Sequence, residues 1–245
     1  MIDFHTHSLP NIDDGSDSKE ESLLMLKKQQ EQGVKKVVFT PHFYPNKDLE
    51  IFLAEREDAF RQLGELELAC YKGAEVLLST ETPSLANLKA LAIEGTPYIL
   101  VELPFAHWPE WVFIALQEVI DNHGLIPIIA HIEMYEEVYQ NLGVINKLIE
   151  IGVLIQINTE SCLSKGQRKA LLRKLFKKKL VHVIGSDVHH IGAMHTVNEA
   201  YHVIEKEYGK ATVTELQQLG EEIISGKRCT ARGAKPFKKV FGKWY

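Results

Sequence analysis

The chain has 245 residues, 45% hydrophobic and 25% charged, and its 28 basic and 33 acidic residues give a formal net charge of −5. That length holds one large domain or two small ones with a substantial core, and so mild an acidity gives no reason to expect a nucleic-acid partner. No apolar segment approaches the ~20 residues of a membrane span, and no basic stretch leads into an apolar run as in a signal peptide.

Taken in chain order, short β-branched runs alternate with helical patterns. "MIDFH" (1–5) reads as the first strand. "SKEESLLMLKKQQEQG" (18–33) reads as a helix, with Ser18 and Glu21 forming a capping box and Gly33 ending it. "KKVVFTPH" (35–42) is the second strand, followed by a helix over 49–64 that stops at Gly64. "LACYKGAEVLL" (68–78) and "YILVELP" (98–104) are the third and fourth strands, and 108–123 a helix. "LIPIIAHIE" (125–133) leads to a helix over 136–150 before Gly152, then "GVLIQIN" (152–158). A helix over 165–179 carries Leu171, Leu172, Leu175 and Phe176 on one stripe. "LVHVIGSD" (180–187) is the seventh strand, and 194–219 continues as helix.

Nearly continuous Val/Ile/Leu strands separated by helices predict a parallel α/β architecture, either a barrel or a doubly wound sheet. No GxGxxG follows the first strand, which disfavours dinucleotide binding. No Gly/Ser- or Pro-rich linker interrupts the series, so a single domain over 1–225 is expected, with a basic tail over 226–245.

The ionisable residues gather at the predicted strand ends. His5 and His7 close the first strand and His42 the second; Glu75 and Glu102 sit on the third and fourth. His131 and Glu133 end the fifth, and Asp187 and His189 the seventh. The sixth ends in Asn158, a poorer ligand. Parallel barrel strands bring their carboxyl ends to one mouth, so residues far apart in sequence can meet there. His5/His7, His131/Glu133 and Asp187/His189 are i, i+2 pairs, whose members share one side in extended backbone.

Each element alone has a plainer reading. A lone H-x-H is a weak signal, His131 could be a core histidine, and Asp13–Asp14–Gly15 could be a turn. Repetition at successive strand ends is what points to a metal centre. Cys70, Cys162 and Cys229 are odd in number and widely spaced, which excludes a CxxC zinc site and disfavours a disulfide framework. Buried thiols in a cytoplasmic protein are expected instead. The candidate donors are therefore nitrogen and oxygen, suited to Zn²⁺, Mn²⁺ or Fe²⁺ and too many for one ion. Several bound cations would neutralise phosphate oxygens and lower the pKa of a bound water toward ~7, making a metal-bound hydroxide the expected nucleophile.

"DFHTH", "DDG", "TPH", "GAE", "AHIE" and "SDVH", in this order and spacing over residues 1 to about 225, resemble the polymerase and histidinol phosphatase (PHP) family. The resemblance is closer to its bacterial branch of metal-dependent protein-tyrosine phosphatases linked to capsular polysaccharide synthesis. It implies a distorted seven-stranded TIM-like (β/α)7 barrel and three divalent ions, manganese foremost, with iron or zinc as alternatives. It also implies three ligand sets: His5, His7, Glu75 and Asp187 for the first ion; Glu75, Glu102 and His131 for the second; Asp14, His42 and His189 for the third. Glu133 then falls outside the sets, as a partner orienting an imidazole.

Two positions depart from many relatives: Met134 and the Ala193–Met194–His195 stretch stand where arginines often grip the phosphate. His190 and His195 are candidates for proton donation or phosphate contact. The implied substrate is a phosphotyrosine-bearing protein, such as a membrane-associated tyrosine kinase. A small-molecule phosphatase of histidinol-phosphate type, a phosphodiesterase and a metal-binding regulatory protein are the alternatives. The runs 165–179, with eight Lys or Arg, and 227–243, with seven, contain no acid. They read as a solvated helix face and a loose tail, or else as a docking surface for an acidic partner or an anionic membrane.

Overall fold

The computed structural model describes residues 1–192, 196–231, 233–240 and 243–244. Nine parallel strands carry the site: β1 (Ile2–Thr6), β2 (Lys36–Phe39), β3 (His42–Phe43), β4 (Ala69–Lys72) and β5 (Glu75–Leu77), then β6 (Tyr98–Glu102), β7 (Ile126–Ile129), β8 (Leu154–Asn158) and β9 (Val183–Gly185). They form sheets of order β1-β2-β4 and β3-β5-β6-β7-β8-β9. Every ladder within them is parallel.

The predicted count of seven is not what forms, because two runs each break in two. The second breaks at Thr40–Pro41, where proline has no N–H for the ladder. The third breaks at Gly73–Ala74. Hydrogen bonds from Gly73 N to Phe39 O and from Glu75 N to Pro41 O carry the parallel pairing of these two runs into the breaks, where the continuous chain passes from one sheet to the other. At the other seam, Asp187 N donates to His5 O and His7 N to Val188 O, just beyond β9 and β1. The result is a curled parallel α/β sheet.

Alternation along the strands sets an apolar layer beneath a polar one. On β6, Tyr98 and Leu100 share a face with Glu102; on β8, Leu154 shares one with Gln156 and Asn158. Tyr98, Leu100, Ile128, Leu154 and Val183 pack into one buried cluster with Ile223 and Ile224 of α9 (Lys210–Ile224). A larger cluster lies between the strands and the other helices.

Helices α1 (Lys19–Glu31), α2 (Leu49–Leu63), α3 (Glu110–His123) and α7 (Gly166–Lys177) lie where the sequence places them. Ser18 caps α1 by accepting from Glu21 N, whereas the Glu21 carboxylate reaches past it to Asp17 N and Ile191 N. The predicted helix over 136–150 is two, α4 (Glu136–Gln140) and α5 (Gly143–Ile151), parted by Asn141 in extended backbone. A short α6 (Thr159–Cys162) follows β8. Beyond residues 193–195, which lie outside the described residues, the last predicted helix is divided into α8 (Val197–Tyr208) and α9 by Gly209. Its φ of 90° and ψ of 155° suit only glycine.

The described part of the tail is held down, contrary to the loose segment expected. Tyr98 Oη donates to Lys227 O and accepts from Cys229 N. The Asn146 side chain exchanges two hydrogen bonds with the Phe237 backbone, and Lys235 N donates to Lys178 O. Cys229 and Phe237 are buried. The basic face of α7 is partly engaged: Lys169 and Arg173 pair with Glu207, and the Lys178 ammonium lies 5.5 Å above the Phe237 ring.

Candidate metal centre

Strand ends deliver the candidate ligands to one mouth. His5 and His7 stand either side of the last residue of β1, with Nε2 atoms 3.0 Å apart. Two ligands at right angles about an ion at ~2.1 Å would lie about 3.0 Å apart. Glu75 opens β5 at 1% exposure and sits between the rings. Its Oε1 is 2.9 Å from His131 Nε2, and its Oε2 is 3.1 Å from His5 Nε2, 3.3 Å from His7 Nε2 and 3.1 Å from His42 Nδ1.

Asp187 Oδ1 lies 3.3 Å from His5 Nε2 and 3.5 Å from His7 Nε2. Glu102 Oε1 is 3.6 Å from His131 Nε2. Nearest solvent, Asp14 Oδ1 is 3.5 Å from His42 Nε2 and 3.6 Å from His189 Nε2. Donor atoms fall within 4.8 Å of one another in overlapping sets: His7, Asp14, His42 and His189; His5, His7 and Asp187; His5, Glu75 and His131; His42, Glu75 and Glu102. All nine residues of the ligand sets implied by the resemblance are thus brought together.

Two of them break regular backbone to get there. His131 has φ 30° and Asp187 φ 55°, left-handed values that cost a non-glycine residue free energy and collect at functional sites. Leaving extended geometry at His131 also overturns the expected pairing with Glu133. The Glu133 carboxylate turns inward, where Oε1 accepts from Asn158 N at 2.8 Å, and no hydrogen bond links it to an imidazole among the described residues.

Three of the imidazoles, those of His5, His7 and His189, are aimed by partners at their Nδ1 atoms. Asp13 Oδ2 lies 2.7 Å from His7 Nδ1 and also accepts from His42 N, while Asp13 Oδ1 accepts from Gly15 N. Gln156 Oε1 is 3.3 Å from His5 Nδ1 and accepts from His131 N at 2.7 Å. His189 Nδ1 lies 3.0 Å from Asp187 O. Each of these three rings therefore presents Nε2 to the centre. Asn158 is no ligand here but donates through Nδ2 to Asp187 Oδ2 at 2.7 Å.

Asp13 and Gln156 are positioning residues that the sequence reading passed over. The signal for Gln156 was a lone amide inside an apolar strand, in i, i+2 relation to Asn158. Two close approaches complete the fit. A Cβ on Gly185 would lie 2.4 Å from His5 Cβ, and one on Gly15 only 2.1 Å from His7 O.

The charges fit cations. Burial favours a neutral Glu75, yet the His5, His131 and His42 rings outweigh it and hold the carboxyl well below its usual range. Burial likewise favours a neutral His131, but Glu75 wins and lifts the ring to about 9. His7 rises well above its ordinary value because Asp13, Asp187 and Glu75 overcome its burial. Burial and the proximity of Glu75 raise Glu102, so four carboxylates do not share the mouth without strain. Glu75 Oε2 is buried beside three ring nitrogens with no well-aligned hydrogen bond to any of them. Lone pairs converging on one point fit a shared cation better than a proton. With no thiolate in these sets, the donors suit Mn²⁺, Fe²⁺ or Zn²⁺.

His190 stands apart from the centre. It is exposed, with Nδ1 4.0 Å from Glu21 Oε1. His195 and Met194 lie outside the described residues. Met134 is described, at the mouth beside Glu133, and its side chain is exposed.

Known proteins share this arrangement of chain. The tyrosine-protein phosphatase YwqE of Bacillus subtilis is 32% identical over 99% of both chains. The tyrosine-protein phosphatase CpsB of Streptococcus pneumoniae is 30% identical, covering 88% of this chain and 94% of its own. A crystal structure described with "YwqE from Bacillus subtilis and CpsB from Streptococcus pneumoniae, unique metal-dependent tyrosine phosphatases" superposes with a TM-score of 0.84 at 29% identity, covering 97% of this chain and all of the other. A phosphotriesterase homology protein from Escherichia coli, at 15% identity and a TM-score of 0.55, shares the fold alone. The family model for capsular polysaccharide synthesis, CpsB/CapC, matches residues 1–224, and the chain belongs to that family.

Proposed function

We propose that this protein is a metal-dependent protein-tyrosine phosphatase. It removes phosphate from a phosphotyrosine-bearing protein of capsule or exopolysaccharide synthesis, with a membrane-associated tyrosine kinase as the partner class. The observation that carries this reading is Glu75, buried and shared among His5, His7, His42 and His131, with carboxylates Asp14, Glu102 and Asp187 around it. In this reading His5, His7, Glu75 and Asp187 hold one ion, Glu75, Glu102 and His131 a second, and Asp14, His42 and His189 a third, manganese before iron or zinc. With each of the two broken runs counted as one strand, the curled sheet is then read as a distorted seven-stranded barrel whose domain spans 1–225, with 226–245 as its basic tail, and the enzyme works in the cytoplasm. Among the described residues no helix is long and apolar enough to cross a membrane, and nothing in the charge calls for nucleic acid.

When bound, the ions supply positive charge to the phosphoryl oxygens and acidify water at the mouth. The chain does the rest. Asp13 and Gln156 fix the tautomers of His7 and His5, so that neutral Nε2 lone pairs face inward. Asn158 locks one oxygen of Asp187 and leaves the other toward His5 and His7. Four carboxylates and five neutral imidazoles around three divalent ions leave the centre net positive, matched to a phosphate dianion. A tyrosyl leaving group, with a conjugate-acid pKa of about 10, needs little protonation, so His190 has no assigned part.

The test is turnover of a phosphotyrosyl peptide with Mn²⁺, with and without chelator, in wild type, His5→Ala and Asp187→Ala. Chelator-sensitive turnover lost in both variants is expected. Turnover indifferent to chelator, or full activity in either variant, would refute the reading.

A further inference from the structure

Large hydrophobic side chains lie exposed in two kinds of place among the described residues. Leu24, Ile51 and Ile114 are on the outer helices, whereas Tyr44, Phe105, Met134 and Tyr139 come from segments that follow β3, β6 and β7 at the mouth. Scattered exposed apolar residues need no explanation, but exposed rings packed against a polar centre do. Two of these rings lie directly on candidate ligands. The Tyr44 ring stacks on His42 with centroids 5.7 Å apart and planes inclined by 27°. The Phe105 ring stacks on His131 at 5.7 Å and 23°.

Phe105 is supported from below rather than loose. It contacts Tyr135 at 5.0 Å, and Tyr135 in turn meets Trp108 edge-on at 5.2 Å. Both of those rings are buried. The Tyr135 hydroxyl accepts from Leu103 N, and Trp108 Nε1 donates to Pro104 O, which fixes the loop on either side. Phe105 is nevertheless 65% exposed, with apolar surface left to the solvent. Glu75 approaches His131 through Oε1 and His42 through Oε2, so the Phe105 and Tyr44 rings stack on two imidazoles that meet the same carboxylate.

We propose that Phe105 and Tyr44 are specificity residues that clasp the aromatic ring of a phosphotyrosyl side chain while its phosphate meets the metal centre, with Phe105 the main platform. This rests on the phosphatase reading above. An aromatic substrate buries the open surface of Phe105 and gains ring–ring contact; a short alkyl phosphate reaches the same ions without touching either ring.

The experiment measures inhibition of p-nitrophenyl phosphate turnover with Mn²⁺ by two inert phosphonates, benzylphosphonate and ethylphosphonate. The proteins are wild type, Phe105→Ala, Phe105→Leu and Tyr44→Ala, each checked for wild-type manganese content. Phe105→Ala should weaken benzylphosphonate about tenfold, Phe105→Leu by less, and ethylphosphonate by under about twofold in every variant. KM for a phosphotyrosyl peptide should rise in parallel with kcat little changed. Equal weakening of both phosphonates, or no weakening of benzylphosphonate, overturns the clasp. A wild type that leaves phosphotyrosyl peptide uncut would instead overturn the phosphatase reading beneath it.

Discussion

Glu75→Gln is the sharpest perturbation of the centre, because it keeps shape and removes charge at the point where four ring nitrogens lie 2.9 to 3.3 Å away. The amide oxygen can still coordinate, so the loss is chiefly electrostatic. A pair of unit charges ~4 Å apart is worth about 4 kcal/mol at an effective dielectric of ~20, and about 4 kcal/mol is roughly three orders of magnitude in affinity. The amide's own N–H groups would also face ring nitrogens that ought to present lone pairs. Manganese affinity is measured by titration calorimetry on chelator-stripped protein, and metal content by mass spectrometry after dialysis, with the exposed α3 substitution Glu118→Gln as control. Affinity reduced by about 10³ with phosphatase turnover falling alongside is expected. An affinity within about tenfold of wild type would refute the view of Glu75 as a shared ligand.

Three further outcomes test separate parts of the structure. Asp13→Asn leaves the turn intact but loosens the grip on His7 Nδ1, and should cost about 10- to 100-fold in metal affinity; unchanged affinity would remove Asp13 as an orienting group. Gly185→Ala drives a methyl group against His5 Cβ and Gln156, so metal content and turnover should fall while circular dichroism at 25 °C still shows a folded protein; wild-type metal content would contradict the close packing. His182 is buried with Nδ1 accepting from Ile155 N, and burial pushes its pKa from 6.5 down to about 4. Unfolded chains then take up a proton near 6.5 and folded ones only near 4, so the stability it lends is full above 6.5 and drains as pH falls to 4. The loss is about 3 kcal/mol. Unfolding free energies from urea titration at pH 7 and 4.5 should lie closer together in His182→Asn than in wild type by about that amount, and identical pH dependence in both proteins would refute the assignment.

The convergence of the candidate ligands was legible because parallel strands must end together: His5, Glu102, His131 and Asp187 announce themselves as polar residues closing apolar runs. What the linear pattern concealed was local geometry. Period-two reasoning grouped His131 with Glu133, yet a left-handed residue at 131 sends them apart and gives Glu133 to the Asn158 N–H. Asp13 looked like half of a turn, and it is one; its second task, holding His7, depends on the loop folding back so closely that Gly15 can bear no side chain. Pro41 and Gly209 carried visible signals for the breaks they cause, but the apolar or helical pattern around them was stronger. The tail misled through its charge, since among its described residues backbone groups and the buried side chains of Cys229 and Phe237 help hold it down.

Anomalous diffraction from manganese-loaded crystals of the wild-type protein tests the central claim most directly. Three peaks are predicted at the mouth, one ringed by His5, His7 and Asp187, one between Glu102 and His131, one between Asp14, His42 and His189, with Glu75 touching more than one. An empty mouth, or density only at the exposed Asp17, Glu21 and His190 group, would contradict it.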